Sequence, residues 1–258
     1  MTILHVFLLS LVQGVTEFLP VSSSAHLALY NKFVIGHQSN LSLDIALHIG
    51  SLLAVILFIA KPLKENTYTI LEKNGVMKSM FLIVLATLPL IFMALLLENI
   101  HIIDLTRQLE IIAFTNIIFA LLLFVSDRRI SRRKLSSIST KDALIIGIWQ
   151  SFAVFPGTSR SGASITGARF LGFDRKDAII ISLVLSIPSI ALSGAYIAFK
   201  FFNNPSKIEI DFIAYGALFS FVISFVVLKF FITLGENFSF TPFVIYRLLL
   251  GLAILAVL

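Results

Sequence analysis

Two polar stretches interrupt a chain that is otherwise almost entirely apolar: QGVTEFLPVSSSAH at residues 13–26 and FPGTSRSGAS at residues 155–164. Each stretch combines a proline with a row of serine or threonine hydroxyls. The first also carries a glutamate and a histidine, and the second an arginine. Such side chains are costly in hydrocarbon, so at membrane depth each one is a candidate functional residue.

The composition of the chain indicates a polytopic membrane protein. Hydrophobic residues make up 58% of the chain and charged residues 13%, a balance that is not typical of a water-soluble domain. Six apolar runs are long enough to cross, or nearly cross, a bilayer core of about 30 Å. We therefore expect an all-α protein with six transmembrane helices. They are predicted near residues 43–60, 79–97, 109–126, 178–199, 212–234 and 242–258.

Two shorter apolar runs, residues 3–19 and 143–156, lead into the polar stretches instead of ending in charged loops. This pattern is typical of a helix that enters the membrane, breaks at proline and small hydroxyl residues, and turns back. The sequence therefore predicts two re-entrant broken segments in addition to the six spans.

The distribution of Lys and Arg predicts the orientation, because these residues accumulate in cytoplasmic loops. Alternate loops differ strongly, and the richer set is assigned to the cytoplasm. The same distribution explains the net charge of +6 by topology, without nucleic acid as a partner. The richer set contains Lys61, Lys64, Lys73, Lys78, Arg128, Arg129, Arg132, Arg133, Lys134, Lys141, Arg175, Lys176 and Lys229. The poorer set contains Lys32, Arg107, Lys200 and Lys207.

The two halves of the chain resemble each other. When Pro20 is aligned with Pro156, Ser22 falls on Thr158, Ser23 on Ser159 and Ser24 on Arg160. Each half then has one broken segment followed by three spans, in residues 1–126 and 142–258. Three is odd, so the halves must have opposite orientations, as an inverted-topology repeat within one membrane domain of residues 1–258. Such repeats bring their broken helices together near the midplane, where a binding site forms.

The first polar stretch offers acid, base and hydroxyl groups. Gln13 and Glu17 are four residues apart, so on a helix they share a face and present an amide beside a carboxylate. Pro20 ends that helix, and the serines at 22–24 are N-cap candidates for the next segment, which carries His26.

The second polar stretch has the features of an anion site. Its Gly157 allows a tight turn or a close backbone approach, and a helix is expected to start near Gly162. A helix N-terminus beside an arginine binds anions, and phosphate suits it best. The candidate pyrophosphate-binding residues are Ser22, Gly157, Thr158, Ser159, Arg160, Ser161 and Ser164.

Phosphoryl transfer requires positioning and charge stabilisation, which Arg160, backbone N–H groups and a divalent cation on Glu17 would supply. The attacking group remains open. It is a serine hydroxyl such as that of Ser23, or His26, or a water activated by Glu17 or His26. The candidate catalytic residues are Glu17, Ser23, His26 and Arg160.

Both stretches resemble motifs of the bacterial undecaprenyl-pyrophosphate phosphatases of the bacitracin-resistance type, and the resemblance covers the whole chain. The first motif, Glu or Gln, three residues and Glu, then Pro-Val-Ser-Ser and a His, matches residues 13–26. The second, Pro-Gly-X-Ser-Arg-Ser-X-X-Thr, matches residues 156–164 with Ser164 in place of Thr. The glutamine option at Gln13 argues against a pair of metal-binding carboxylates. We expect Glu17, with Gln13 and substrate oxygens, to bind Mg²⁺ or Ca²⁺.

The resemblance implies an inner-membrane hydrolase, acting on a phosphorus-containing anhydride, that converts undecaprenyl pyrophosphate to undecaprenyl phosphate. The product returns to the lipid carrier cycle of peptidoglycan and cell-wall synthesis, and the activity confers resistance to bacitracin. The resemblance also implies a site that opens to the outer, periplasmic face, and it is compatible with a homodimer.

A transporter or flippase of polyprenyl phosphate lipids is the alternative, because inverted repeats with broken helices are transporter architecture. Such a protein would use the same Arg160 anion site. The pairing of Glu17 with His26, which anion transport does not require, favours the hydrolase.

Overall fold

The structure is a computed structural model that describes residues 2–30, 32–33, 41–60, 76–100, 106, 108–203 and 210–258. Within these ranges the chain forms ten α-helices and no β-strand. Five cations of the topology count lie outside the described residues, namely Lys61, Lys64, Lys73, Arg107 and Lys207.

The helices follow one another with short connections in the described parts of the chain. They are α1 Ile3–Thr16, α2 Ser23–Tyr30, α3 Leu41–Ala60, α4 Val76–Asn99, α5 Leu109–Asp127, α6 Thr140–Ser151, α7 Arg160–Phe170, α8 Arg175–Asn203, α9 Ile210–Asn237 and α10 Thr241–Ala256. Two short 3-10 turns flank α6, at Leu135–Ser137 and Phe152–Val154.

The predicted polytopic membrane fold is confirmed. Five helices, α3, α4, α5, α8 and α9, are long and apolar enough to cross a bilayer. The sixth predicted span corresponds to α10, which is apolar but only 16 residues long. Large side chains such as Phe92 and Phe230 are exposed on the outside of the bundle, as expected where lipid replaces water as the solvent.

Both polar stretches break a helix, as the sequence predicted. Helix α1 has 14 residues and α6 has 12, so each is at most about 21 Å long and too short to cross a bilayer. The breaks have two causes. Proline lacks the backbone N–H that a continuing helix needs, and the chain changes direction at the serine that follows. Ser22 has a φ of 72° and Ser159 a φ of 69°, in the left-handed region that residues with a side chain rarely adopt.

These two serines occupy equivalent places in the halves. Each directly precedes a helix, and each hydroxyl lies near the one two residues later, at 3.2 Å for Ser22 to Ser24 and 3.1 Å for Ser159 to Ser161. The alignment on the two prolines is therefore wrong by one residue. The second stretch contains one more residue between its proline and its serine, and the positive φ of Gly157 (94°) accommodates it.

Helix packing is partly repeated between the two halves. Helix α1 packs along α9 as α6 packs along α4, while α3 packs against α8 and α5 against α10. Glycines permit the close contacts: a Cβ on Gly14 would lie 2.7 Å from the Ile223 side chain, and one on Gly147 would lie 2.4 Å from the Ala86 carbonyl oxygen. These pairs are compatible with a repeat of residues 1–126 and 142–258, whereas the extensive contact of α3 with α9 has only a small counterpart between α8 and α4. The repeat and its inverted orientation remain predictions.

Helix α7 lies in the centre of the bundle. Every residue from 161 to 169 is buried, and the helix packs on α5, α6 and α8. Small residues such as Gly167 allow this close packing. A Cβ added at this position would lie 2.8 Å from the Trp149 ring. The second polar stretch is therefore held rigidly at the start of a fully enclosed helix.

The buried carboxylate of Asp127 stabilises the basic end of the molecule, defined here as residues 127–142. This carboxylate accepts two hydrogen bonds from Arg175, at 2.7 and 3.1 Å, and one from the Phe240 backbone N–H at 3.0 Å. The Arg169 Nε atom lies 3.3 Å from it. Asp127 thereby connects the ends of α5, α7, α8 and α10.

Replacing Asp127 with Asn is expected to lower the free energy of unfolding by about 3 kcal/mol, because it leaves two arginines without their buried carboxylate. Denaturant unfolding of the detergent-solubilised protein measures this loss. The matched control is Lys134→Gln, which removes an exposed ion pair with Asp174 and should cost less than about 1 kcal/mol. Equal losses in the two variants would contradict the role given to Asp127.

Candidate active site

The turns of the two broken segments meet through Glu17 and Arg160. Arg160 is the first residue of α7, and its Nη2 atom lies 3.1 Å from Glu17 Oε1. The hydroxyl of Ser161 also donates to the Leu19 carbonyl oxygen at 2.8 Å. The two polar stretches, which are distant in the sequence, therefore form one site, as predicted.

The Glu17 carboxylate is the acceptor at the centre of this site. Its Oε2 atom accepts hydrogen bonds from the Ser23 hydroxyl at 2.8 Å and from Gln13 Nε2 at 3.2 Å. The side chains of Glu17 and Arg160 are only 9% and 11% exposed. Shielding from water strengthens these charge-assisted interactions, so the four side chains form a pre-arranged polar cluster.

Arg160 is held on both sides of its guanidinium group. Its Nη1 atom donates to the Ser182 carbonyl oxygen of α8 at 3.1 Å, while Nη2 faces Glu17. This arrangement fixes the guanidinium plane between α8 and the first broken segment. A guanidinium fixed in this way is suited to bind phosphate oxygens with defined geometry.

Two helix N-termini point into the region of the cluster. Helix α2 begins at Ser23 and α7 at Arg160, so the residue that meets Glu17 from each segment also opens a helix. The Ser159 hydroxyl caps α7 by accepting from the Gly162 N–H at 3.1 Å, and Ser22 precedes α2 in the equivalent position. The first-turn N–H groups of both helices add partial positive charge to the site.

The remaining predicted pyrophosphate-binding residues differ in whether their hydroxyls already have hydrogen-bond partners. Thr158 is fully buried, and its hydroxyl has no hydrogen-bond partner within the described part of the chain. Ser164 lies one turn inside α7, where its hydroxyl is close to Gln150 Oε1 (3.2 Å) and to the Arg160 carbonyl oxygen (3.0 Å). A Cβ on Gly157 would lie 2.3 Å from the Ile112 carbonyl oxygen, so this glycine permits close approach to α5.

His26 lies on α2 but outside the Glu17 cluster. Its Nδ1 atom is 2.7 Å from the Ser22 carbonyl oxygen and its Nε2 atom is 2.5 Å from the Tyr246 hydroxyl. Among the described residues, no hydrogen bond connects His26 to Glu17 or Arg160. The imidazole thus lies one turn after Ser23 on the same helix, without direct contact with the ion pair.

The sequence analysis assigned no role to Arg247, which is fully buried on α10. Its Nη2 atom donates to the carbonyl oxygens of Gly157 and Thr158, both at 2.9 Å, and its Nη1 atom to that of Pro20 at 3.4 Å. Its Nε atom donates to Asn116 Oδ1 at 2.8 Å. One guanidinium group therefore holds the turns of both broken segments in position.

A signal for this residue was present in the sequence. Arg247 lies within the last apolar run and Asn116 within the third, and polar groups at such positions usually face the interior of a bundle and pair with one another. The pairing itself depends on the packing of α5 against α10, which the sequence does not specify.

The residues around Glu17 fit a divalent cation only in part. The described residues contain no group of three His, Cys, Asp or Glu side chains that could hold a metal ion. However, Gln13 Oε1 is buried without a hydrogen-bond partner in the described structure, on the side chain whose amide nitrogen contacts Glu17. An amide oxygen and a carboxylate are ligands that Mg²⁺ and Ca²⁺ accept, with further oxygens from phosphate and water.

Three named proteins are similar to this chain over nearly their full length. The chain is 40% identical to an undecaprenyl-diphosphatase of Aliivibrio salmonicida (strain LFI1238), over 99% of this chain and 98% of the relative. It is 38% identical to an undecaprenyl-diphosphatase of Jannaschia sp. (strain CCS1), over 100% of this chain and 99% of the relative. A third undecaprenyl-diphosphatase, from Saccharophagus degradans, is 40% identical over 99% of this chain and 98% of its own length.

The family described as "Bacitracin resistance protein BacA" matches residues 6–253, a range that includes both polar stretches and the Arg247 helix. With nearly complete coverage and identities of 38–40%, the chain belongs to the bacitracin resistance protein BacA family.

Proposed function

We propose that this protein is an undecaprenyl-diphosphatase, which hydrolyses undecaprenyl pyrophosphate to undecaprenyl phosphate and inorganic phosphate. The observation that carries the proposal is the arrangement around Glu17: the anion-binding Arg160 on one oxygen and the Ser23 hydroxyl, 2.8 Å away, on the other. The names of the similar proteins support the substrate. The chain's apolar surface suits a substrate whose polyprenyl tail stays in lipid.

Substrate binding is assigned to Arg160 and the two helix N-termini. The guanidinium group and the first-turn N–H groups of α2 and α7 would receive the phosphate oxygens. Ser159 caps α7, and Ser22 and Ser161 lie beside the first residues of α2 and α7. The buried hydroxyl of Thr158, which has no hydrogen-bond partner among the described residues, is a further donor. Gly157 lies in the loop before Arg160, and Ser164 lies in the helix that Arg160 begins.

Ser23 is the proposed nucleophile, with Glu17 as its base. Ser23 Oγ attacks the terminal phosphorus, the anhydride P–O bond breaks, and undecaprenyl phosphate leaves while Glu17 accepts the hydroxyl proton. Water then attacks the phosphoserine, with His26 accepting a proton from that water. Inorganic phosphate departs as Ser23 takes back its hydroxyl proton from Glu17, and the proton on His26 returns to solvent.

Glu17 and Gln13 are the proposed protein ligands of a divalent cation, Mg²⁺ or Ca²⁺. The cation would neutralise charge on the pyrophosphate oxygens and on the developing transition state. Glu17 also faces Arg160 and Ser23. A cation bound to Glu17 would therefore lie beside the side chains that orient the phosphate groups.

In the cell, we place the protein in the bacterial inner membrane with its basic end in the cytoplasm, following the excess of Lys and Arg at that end. The active site would open to the outer face. The activity would return the lipid carrier to peptidoglycan synthesis and reduce sensitivity to bacitracin, and a homodimer remains a prediction. A flippase is less favoured, because the pairing of Ser23 with Glu17 serves phosphoryl transfer and is not required for lipid transport.

Arg160→Ala is expected to lower phosphate release from undecaprenyl pyrophosphate by about 100-fold or more, because a buried charged donor to the transition state is lost. The assay uses purified protein in detergent. Arg132→Ala, at the exposed basic end, is the control and should retain full activity. Full activity of a folded Arg160→Ala variant would remove this residue from the mechanism.

Removal of divalent cations with EDTA should abolish phosphate release, and added Mg²⁺ or Ca²⁺ should restore it, if the cation supplies charge at the site. Gln13→Glu provides a second carboxylate beside Glu17 and is expected to lower the cation concentration that gives half-maximal activity. Gln13→Leu should raise it. Activity that survives complete chelation would refute the cation.

Ser23→Ala is expected to reduce turnover by about 1,000-fold, because the proposed nucleophile is absent. Rapid acid quenching of the wild-type protein with substrate, followed by mass spectrometry, should detect phosphate on Ser23. Ser24→Ala, next to it and without a bond to Glu17 among the described contacts, is the control. Near-normal turnover of Ser23→Ala would assign the attack to water.

A further inference from the structure

The hydroxyl of Tyr246 meets the catalytic candidate His26 from outside both polar stretches. Tyr246 lies on α10, and its hydroxyl is 2.5 Å from His26 Nε2. The two rings are parallel within 4°, with centroids 5.6 Å apart. This contact links the last helix of the chain to the helix that follows Ser22, and neither sequence motif contains the tyrosine.

The partners of the imidazole determine which nitrogen carries the proton. His26 Nδ1 lies 2.7 Å from the Ser22 carbonyl oxygen, which can only accept, so Nδ1 must be the donor. In the neutral ring Nε2 is then the acceptor, and the Tyr246 O–H donates to it. Both ring nitrogens are thus occupied. The lone pair that would accept a proton during catalysis is at Nε2, and it becomes available when the Tyr246 hydroxyl turns from donor to acceptor.

We infer that Tyr246 is a positioning residue for His26: the Ser22 carbonyl oxygen holds Nδ1 in its protonated form, and the Tyr246 hydroxyl fixes the orientation of the ring through Nε2, the proton-accepting atom. The inference rests on the proposed function. A hydroxyl suits both protonation states, because it donates to neutral Nε2 and accepts from Nε2–H after the ring has gained a proton. Phenylalanine retains the ring but supports neither state.

The backbone that carries Tyr246 is itself held in place. The next residue, Arg247, is bonded to the turns of both broken segments. Asn116 Nδ2 donates to the Arg247 carbonyl oxygen at 2.8 Å, while Asn116 Oδ1 accepts from Arg247 Nε. The position of the phenol hydroxyl relative to His26 is therefore defined by the same contacts that align the two turns.

Tyr246→Phe is expected to lower kcat about tenfold, the effect of one lost hydrogen bond, and to leave KM within about twofold, because the phosphate-binding groups are unchanged. The control is Tyr215→Phe on α9, where the tyrosine stacks on Phe219 and makes no described hydrogen bond or ring contact with His26. Its kcat should equal that of the wild type. Unchanged kcat in Tyr246→Phe, beside an active wild type, would overturn the inference.

A double-mutant cycle distinguishes positioning from general stabilisation of the fold. In a His26→Gln background, Tyr246→Phe should cause no further loss of kcat, because the group on which it acts is absent. A tenfold loss in both backgrounds would show that Tyr246 acts independently of His26 and would overturn the inference.

A spectroscopic test requires no activity and separates this inference from the proposed function. Protein labelled with ¹⁵N-histidine should show the Nδ1–H form for the His26 ring, identified by its disappearance in His26→Gln. In Tyr246→Phe the shift of Nε2 should change, because the hydrogen bond that this nitrogen accepts is lost. The same ¹⁵N shifts in both proteins would refute the positioning role, whereas a wild type that shows the expected shifts but releases no phosphate would refute only the proposed reaction.

Discussion

The ion pair between Glu17 and Arg160 is the interaction on which the site depends. A single charge at membrane depth costs several kcal/mol, and neither broken segment contains a partner for its own charge. Each segment supplies one member of the pair, and only their meeting satisfies both. The positive charge of Arg160 favours phosphate binding. The same charge is stabilised by Glu17 only when the two halves are packed together.

The turns beside this pair are strained, and the surrounding contacts maintain them. Positive φ angles at Ser22 and Ser159 cost about 1–3 kcal/mol each, and glycine would avoid that cost. Serine contributes what glycine lacks, a hydroxyl at the start of a helix. Arg247, bonded to the backbone of both turns, keeps them in conformations that the local sequence would not select alone.

The sequence predicted the architecture well because lipid demands long apolar helices and because proline and serine clusters mark breaks in them. It also predicted that Glu17, Ser23 and Arg160 belong to one site. The roles of Tyr246 and Arg247 were not predictable, because they arise where α10 meets distant loops. The one-residue error in aligning the halves has a similar origin, since a positive φ at serine has no signature in the sequence.

The enclosure of α7 has a consequence for how the enzyme meets its substrate. A helix covered on every side cannot slide or tilt without opening the whole bundle, so its first residue, Arg160, remains at a fixed depth. The lipid must therefore change its conformation to reach the site. Its long, flexible tail can bend while its headgroup moves to the fixed Arg160. Such a protein would tolerate variety in the tail more readily than any change in the spacing of the two phosphates.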